Sequence, residues 1–167
     1  MKGVLAAFLL LSSLGGCASD VPLLIREPPA DNPTLADVQT NPTAFLNRRV
    51  RWGGKIVSTR IVENRTEVEI LAKALRTDGR PEIGDESVGR FLVSSDDFLD
   101  PAVYTAGREV TVYGVLQNML VRNIGTHPYL YPLVKATQLY LWTEQSDYGY
   151  DDWDSPFHFG IGFGVGL

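Results

Sequence analysis

Branched and aromatic residues are concentrated in five segments of the chain, each ending at Gly, Pro, Asn or Asp. This composition is typical of β-strands bounded by turns. In the second segment Val68 and Ile70 lie on one face, with Glu67, Glu69 and Leu71 on the other. Five short strands in fewer than about 100 residues predict a mainly β fold, closed into a small barrel. The segments are 50–62, 66–75, 90–94, 110–117 and 131–142.

Short helical turns are predicted before the first strand, over residues 34–45. Asn32 and Asn41 each precede a proline, as expected of an N-cap residue followed by Pro at the first helical position. A turn at 123–128 is expected to join the last two strands, because it combines Gly, Asn and Pro.

One stretch of sequence is approximately repeated. Segment 41–54 begins with NPTAF and ends at Gly54, and segment 100–114 begins with DPAVY and ends at Gly114. Each copy predicts a helical turn with a terminal aromatic residue, followed by a strand that glycine interrupts. We expect these glycines to mark bends or bulges that let the strands close around a barrel.

The N-terminus has the organisation of a bacterial signal peptide, with a basic residue, an apolar run and then small residues. The run is too short to cross a bilayer, which takes about 20 apolar residues. Leu14, Gly15, Gly16 and Cys17 resemble the lipobox, at which a lipoprotein is cleaved and its cysteine acylated. We therefore predict a signal peptide over 1–16 and a covalent lipid on the sole cysteine. The alternatives are an ordinary secretory signal with a free cysteine, or a buried unpaired thiol.

The mature chain is predicted to have three parts. Residues 17–33 would form the lipidated N-terminus and a flexible Pro-rich tether, extended enough to lift the protein several tens of ångströms off the lipid. Residues 34–142 would form the barrel, and 143–167 an acidic, aromatic and Gly-rich tail. Over 157–167 apolar residues alternate with Gly or His. This pattern fits a strand that contacts a sheet edge, lipid or a partner, and it equally fits a disordered tail.

Charge narrows the range of partners. The chain has a net charge of −5. Removing the leader removes the positive charge of Lys2, so the mature chain would be more negative by one charge. This acidic balance argues against nucleic acid as a partner, because binding it requires a basic surface. A chain of 167 residues is long enough for one domain with its own core.

Residues suited to catalysis or metal binding are sparse. His127 and His158 are interpreted as surface residues, and no Gly-x-Ser-x-Gly motif occurs. Two histidines are too few for zinc, and the acidic cluster at 147–154 lacks the spacing of a calcium loop. Glu67 and Glu69 share a strand face and could flank a glycoside. The favoured interpretation is that they form the solvent-facing side of a half-buried strand. We predict that the protein is not an enzyme and that it carries no cofactor other than the covalent lipid.

Arg48, Arg49, Arg51 and Trp52 form the one basic and aromatic cluster in the sequence. Such a cluster could bind a sugar, an anionic headgroup or an anionic glycan. The favoured interpretation of Trp52 is a core position, with two of the arginines pointing outward. Arg49, Arg51 and Trp52 remain the candidate ligand-binding residues, and this is the less favoured interpretation.

Taken in order, several segments resemble the Slp family of outer membrane lipoproteins, the carbon-starvation-inducible group of Gram-negative bacteria. The resemblance covers residues 14–142 and leaves the tail outside. The segments are VRWGGKI at 50–56, RTEVEILA at 65–72, GRP at 79–81, GRF at 89–91, FLDP at 98–101, GREVTVYG at 107–114, and 131–142.

The resemblance implies an outer membrane lipoprotein whose compact β domain is an OB-like barrel, and it implies no known reaction. Ala18 rather than Asp follows Cys17, which in enteric-type sorting favours the outer membrane. The expected protein is held in the inner leaflet by its lipid and faces the periplasm. We expect a non-enzymatic structural or stress-related role, with an envelope protein or glycan as partner. The alternative is a periplasmic binding module for a small ligand or oligosaccharide.

Overall fold

The computed structural model describes residues 20–144. Three short helices precede the first of five strands. None of the helices in this part of the chain has the length and apolar character needed to cross a membrane. The elements are α1 (Leu23–Arg26), α2 (Leu35–Thr40), α3 (Pro42–Phe45), β1 (Arg49–Val62), β2 (Arg65–Lys73), β3 (Gly89–Ser95), β4 (Glu109–Ile124) and β5 (His127–Leu141).

The strands close into a barrel in the order β1-β2-β3-β5-β4. Neighbouring strands are antiparallel except β3 and β5, which pair in parallel. This is the strand order of an OB-type barrel, so the predicted mainly β, OB-like fold is confirmed. The last two strands are longer than predicted, because their hairpin continues through polar residues such as Asn118 and Arg122.

Alternating side chains of the strands fill the barrel. Val68 and Ile70 point inward, as their alternation predicts, and both are fully buried. Trp52 meets Phe91 edge to face, with ring centroids 5.4 Å apart. Aromatic pairs in this geometry add about 1 kcal/mol beyond the area they bury. The barrel interior is therefore a packed core.

The two predicted helical turns form, but Asn32 is not an N-cap. Thr34 caps α2 in a capping box, because its hydroxyl accepts from Asp37 N at 3.1 Å and Asp37 accepts from Thr34 N. Asn32 instead bonds to the backbone of Arg51, accepting from its N–H at 2.7 Å and donating to its carbonyl at 3.2 Å. Asn41 occupies the N-cap position of α3 as expected, directly before Pro42.

The sequence repeat corresponds to a repeated hydrogen-bond pattern between β1 and β4. Asn47 N donates to the Leu116 carbonyl at 2.8 Å. Sixty positions later, Gly107 N donates to the carbonyl of Ile56, also at 2.8 Å. Both donors have positive φ, 63° at Asn47 and 89° at Gly107. The two halves of the barrel therefore start their strands with the same backbone arrangement.

Gly54 and Gly114 are the equivalent glycines of the two copies, and at both the backbone of the neighbouring strand approaches closely. A Cβ on Gly54 would stand 1.9 Å from the Leu71 carbonyl oxygen, and one on Gly114 would stand 2.3 Å from that of Lys135. The register shifts nearby, between Ile56 and Ser58 and directly at Gly114. The expectation that these glycines allow the barrel to close is consistent with this geometry.

The N-terminal segment is not an extended tether in the part that the structure describes. Ile25, in α1, has 0% exposure and packs in a small cluster with Tyr113 and Trp142. The expectation of an extended tether over 17–33 is therefore wrong at 23–26, where the chain is helical and Ile25 is packed on the barrel. Of the apolar run at 23–25 only Ile25 is fully buried, and its burial contributes about 2 kcal/mol.

Candidate functional site

A groove of about 500 Å³ opens between residues 32–36 and the C-terminal end of β2. This volume lies within the range of roughly 300–1,000 Å³ that small-molecule sites occupy. Carbon atoms dominate its wall, and two cationic side chains join them. The lining residues are Asn32, Pro33, Thr34, Leu35, Ala36, Arg51, Trp52, Ala72, Lys73, Ala74, Leu75 and Val88.

The structure divides the predicted basic cluster. Arg51 lines the groove and is only 8% exposed. Arg48 and Arg49 are exposed and border a separate shallow depression with Asp31 and Asn47. The expectation that Arg49 and Arg51 act on one ligand surface is therefore wrong. Helix α1 packs over the Arg51 side chain, whereas the Arg49 side chain remains exposed to solvent.

Arg51 is held by backbone carbonyl groups. Its Nη1 donates to the carbonyl of Ile25 at 3.0 Å and also to that of Arg26. Its Nε is buried and has no hydrogen-bond partner. Burial lowers the pKa of this guanidinium. Within residues 20–144 its side chain has no carboxylate partner, so its charge is left without a counterion.

Trp52 has the core role that the sequence analysis favours over a binding role. It is buried, and its Nε1 donates to the Pro33 carbonyl at 2.9 Å. It also forms part of the groove wall. One side chain therefore contributes both to the core and to the site.

The sequence interpretation missed Lys73. This last residue of β2 is 6% exposed, and its Nζ donates to the Gly84 carbonyl. Across the described residues, no carboxylate oxygen lies within 4.0 Å of the Lys73 Nζ, and the same is true of the Arg51 guanidinium. A lysine that interrupts the apolar run at 70–75 is the signal that could have identified it.

The outer face of β2 carries a different arrangement, in which charges are matched. The carboxylate of Glu67 accepts from Arg122 on β4 at 2.5 and 2.7 Å, and from Arg60 on β1 at 2.6 Å. Glu69 accepts from Arg90 and from the Tyr131 hydroxyl, both at 2.8 Å. We call these residues the ion-pair cluster.

Charges in the ion-pair cluster shift one another's protonation. Burial by itself raises the pKa of the Glu67 carboxyl, but the hydrogen bonds and positive charges of Arg122 and Arg60 outweigh it, so the pKa lies below its usual range. Burial and the hydrogen bond to Glu69 raise the pKa of the Tyr131 hydroxyl. The two glutamates considered for glycoside chemistry are therefore both engaged by arginine side chains.

Other predicted candidates lie apart from the groove. His127 is exposed at the start of β5 and faces the Thr126 hydroxyl. In the described range no three side chains of His, Cys, Asp or Glu come together as a metal-binding group. Leu14, Gly15, Gly16 and Cys17 lie outside the described residues, as do His158, the acidic cluster at 147–154 and the tail at 157–167.

Comparison with known proteins gives a family. The model of the outer membrane lipoprotein Slp family matches residues 14–162. The chain belongs to the Slp family. The match continues twenty residues beyond 142, so the expectation that the tail lies outside the resemblance is wrong for most of its length. The family supports placement in the bacterial outer membrane.

Three relatives cover most of this chain. It is 30% identical to "Uncharacterized lipoprotein YeaY" of Escherichia coli, over 85% of this chain and 72% of that protein. It is 31% identical to an uncharacterized protein of Haemophilus influenzae, over 96% and 90%. It is 26% identical to "Outer membrane protein Slp" of Escherichia coli, over 92% and 90%.

Among solved structures, the chain is similar to a small single-stranded DNA-binding protein of Streptomyces coelicolor. The match has a TM-score of 0.40 and 14% identity, and covers 57% of this chain and 94% of that one.

Proposed function

We propose that this Slp-family protein is held in the inner leaflet of the outer membrane by lipid on Cys17, with its barrel facing the periplasm. The lipobox sequence and the family support the lipid. Several acyl chains, each methylene adding about 0.8 kcal/mol when buried, give a lasting attachment that a single chain does not.

The barrel would sit close to the lipid, and the burial of Ile25 carries this part of the proposal. Ile25 follows Cys17 by eight positions and is fixed on the barrel with 0% exposure. Eight extended residues span at most about 28 Å. Leu23, in the same short helix, is 55% exposed. An exposed leucine on a short connection to an acylated cysteine suits a domain that rests at the bilayer surface.

The role we propose is non-enzymatic, as a structural or stress-related component of the envelope. Engagement of Glu67 and Glu69 in ion pairs supports this, since both carboxylates already have arginine partners. An envelope protein or glycan would be the partner, and crosslinking in intact envelopes would identify it.

The test of the anchor compares the wild-type chain with Cys17→Ser in the native host. We expect the wild type to float with outer membranes and to carry a diacylated, cleaved N-terminus by mass spectrometry. Cys17→Ser should lose the lipid and leave the membrane fraction after a high-salt wash, or retain its leader. An unmodified thiol in the wild-type protein would contradict the proposal, and Ser19→Ala is the matched control.

A second candidate function is a periplasmic binding module for a small ligand. The groove lined by Arg51 and Trp52 specifically favours it, because a barrel without a concavity would have left only the structural role. An oligosaccharide that needs Arg49 beside Arg51 is less well supported, since those side chains lie in different surroundings.

A further inference from the structure

The groove combines an apolar wall with two buried cations that lack acidic partners. Leu35, Trp52 and Leu75 belong to the wall, and Arg51 and Lys73 are the cations. Buried charges in proteins are normally paired, because removing a charge from water costs several kcal/mol. Here each cation bonds only to backbone carbonyl oxygens among the described residues. The missing component of such a site is an anion.

The arginines of the ion-pair cluster differ from Arg51 and Lys73 in having carboxylate partners. The arginines of the ion-pair cluster, Arg60, Arg90 and Arg122, all bind carboxylates although each is more exposed than Arg51 or Lys73. The chain is acidic overall, so carboxylates are plentiful. That the two most buried cations have none is a specific feature of the groove.

The shape of the site defines the rest of the ligand. The wall extends beyond the cations toward Val88. A second depression of about 310 Å³ shares Lys73, Ala74 and Val88 with the groove and is also lined by Glu82, Ile83 and Glu86. A compact anion such as phosphate would leave the apolar wall of the groove itself empty. A ligand with one charged end and a long hydrocarbon body would cover it, at about 25 cal/mol for each Å² of apolar surface removed from water.

The groove also adjoins the membrane-proximal end of the chain. Arg51 donates to the carbonyl groups of Ile25 and Arg26 in α1. Since α1 follows the proposed lipid anchor closely, the groove would lie within reach of material leaving the bilayer. This step rests on the proposed function.

We propose that the groove binds a single-chain anionic amphiphile, with a long-chain fatty acid as its simplest form. The anionic group pairs with Lys73 and Arg51, and the acyl chain lies along Trp52, Leu75 and Val88. The shared chemistry, one acyl chain with one anionic end, also describes a lysophospholipid.

The experiment uses the purified full-length lipoprotein in phosphatidylcholine vesicles. A diazirine analogue of palmitate is added, crosslinked by light and mapped by mass spectrometry. We expect label on residues 33–36 and 72–75. An uncharged diazirine analogue of hexadecanol should label these segments about tenfold less, because it lacks the charge-assisted contact. Equal labelling by the two probes would overturn the proposal.

Matched variants locate the contact. Lys73→Met should reduce palmitate labelling about tenfold, whereas Lys55→Met, at an exposed lysine of β1, should leave it unchanged. Ala74→Trp places a bulky side chain on the groove rim without altering the core, and should also block labelling. Ala102→Trp, on a distant exposed turn, is its control. Undiminished labelling in both groove variants would exclude this site.

Two further arms separate the remaining explanations. Competition by unlabelled palmitate assigns the source as free fatty acid, and stronger competition by lysophosphatidylglycerol assigns a lysophospholipid; both uphold the ligand class. Labelling that develops only after deletion of residues 157–167 would make the tail the occupant and refute the proposal. Vesicle flotation reports the anchor independently, so failure of the groove and failure of the anchor are distinguishable.

Discussion

The ion-pair cluster and the groove lie on the same strand and treat charge in opposite ways. On the outer face of β2, Glu67 and Glu69 both pair with arginines, and these pairs join β1, β2, β3 and β4. Lys73 lies at the end of the strand, and Arg51 lies on β1. Both are more deeply buried than the arginines of the cluster, and their charged groups bond only to carbonyl oxygens. Matched charges serve the fold, and unmatched buried charges point to a ligand.

The largest effect is expected from Ile25→Ala, which tests what covers Arg51. Losing this fully buried side chain should lower the free energy of unfolding by about 3 kcal/mol. It should also loosen the carbonyl groups that bind Arg51. Urea denaturation followed by tryptophan fluorescence measures the change. Leu23→Ala, at an exposed neighbour in α1, should cost under about 0.5 kcal/mol, and an equal loss in both variants would contradict the packing described.

Next in size is Glu67→Gln, which removes the charge at the centre of the ion-pair cluster. Arg60 and Arg122 would then face each other without a counterion, and we expect a loss of about 2 kcal/mol in the free energy of unfolding. Glu86→Gln, on an exposed loop, should have almost no effect in the same denaturation experiment. A neutral result for Glu67→Gln would mean that the cluster does not stabilise the barrel.

Acid should weaken the ion-pair cluster by part of that amount. The pKa of Glu67 is lower in the folded protein than in the unfolded chain, so its stabilisation is complete above the unfolded value and is lost as pH falls through the folded value. Denaturation between pH 7 and pH 3 should therefore show a steeper decline for the wild type than for Glu67→Gln. Parallel curves for the two proteins would contradict the assignment.

The smallest effect, and one of opposite sign, is expected at the groove. Lys73→Met removes a buried cation that has no carboxylate partner, so it should raise the free energy of unfolding by about 0.5 kcal/mol. Lys55→Met should leave stability unchanged in the same assay. Destabilisation by more than about 1 kcal/mol would show that Lys73 is a structural residue, and would end the distinction between the two regions.

Sequence periodicity was sufficient for the barrel. The inward side chains of β2 and the turn between the last strands could be predicted from alternation and turn residues. The prediction that Asn32 is an N-cap is wrong. An Asn before Pro is typical of an N-cap, but the same pair also occurs where the Asn side chain bonds to the backbone of a strand, here that of Arg51. Only the tertiary contact with Arg51 distinguishes these two uses.

The groove could be predicted only in part. A basic and aromatic cluster around Arg51 and Trp52 was visible in the sequence, but its division was not, because Arg49 differs from Arg51 only in what folds over it. That cover is α1, within a segment whose prolines suggested an extended chain. The short apolar run at 23–25 is weak as a helix signal, and it gains its structure from the surface that receives Ile25.

The attachment of α1 has a mechanical consequence. If Cys17 carries the proposed lipid anchor, tension applied through it would reach Ile25 before any barrel strand. The tension would act on one buried side chain and the two carbonyl groups that Arg51 binds. Those contacts would break one after another, while the long hydrogen-bonded edge between β1 and β4 would have to shear all at once. A pull from the membrane would thus peel away the cover of Arg51 first, leaving the barrel whole.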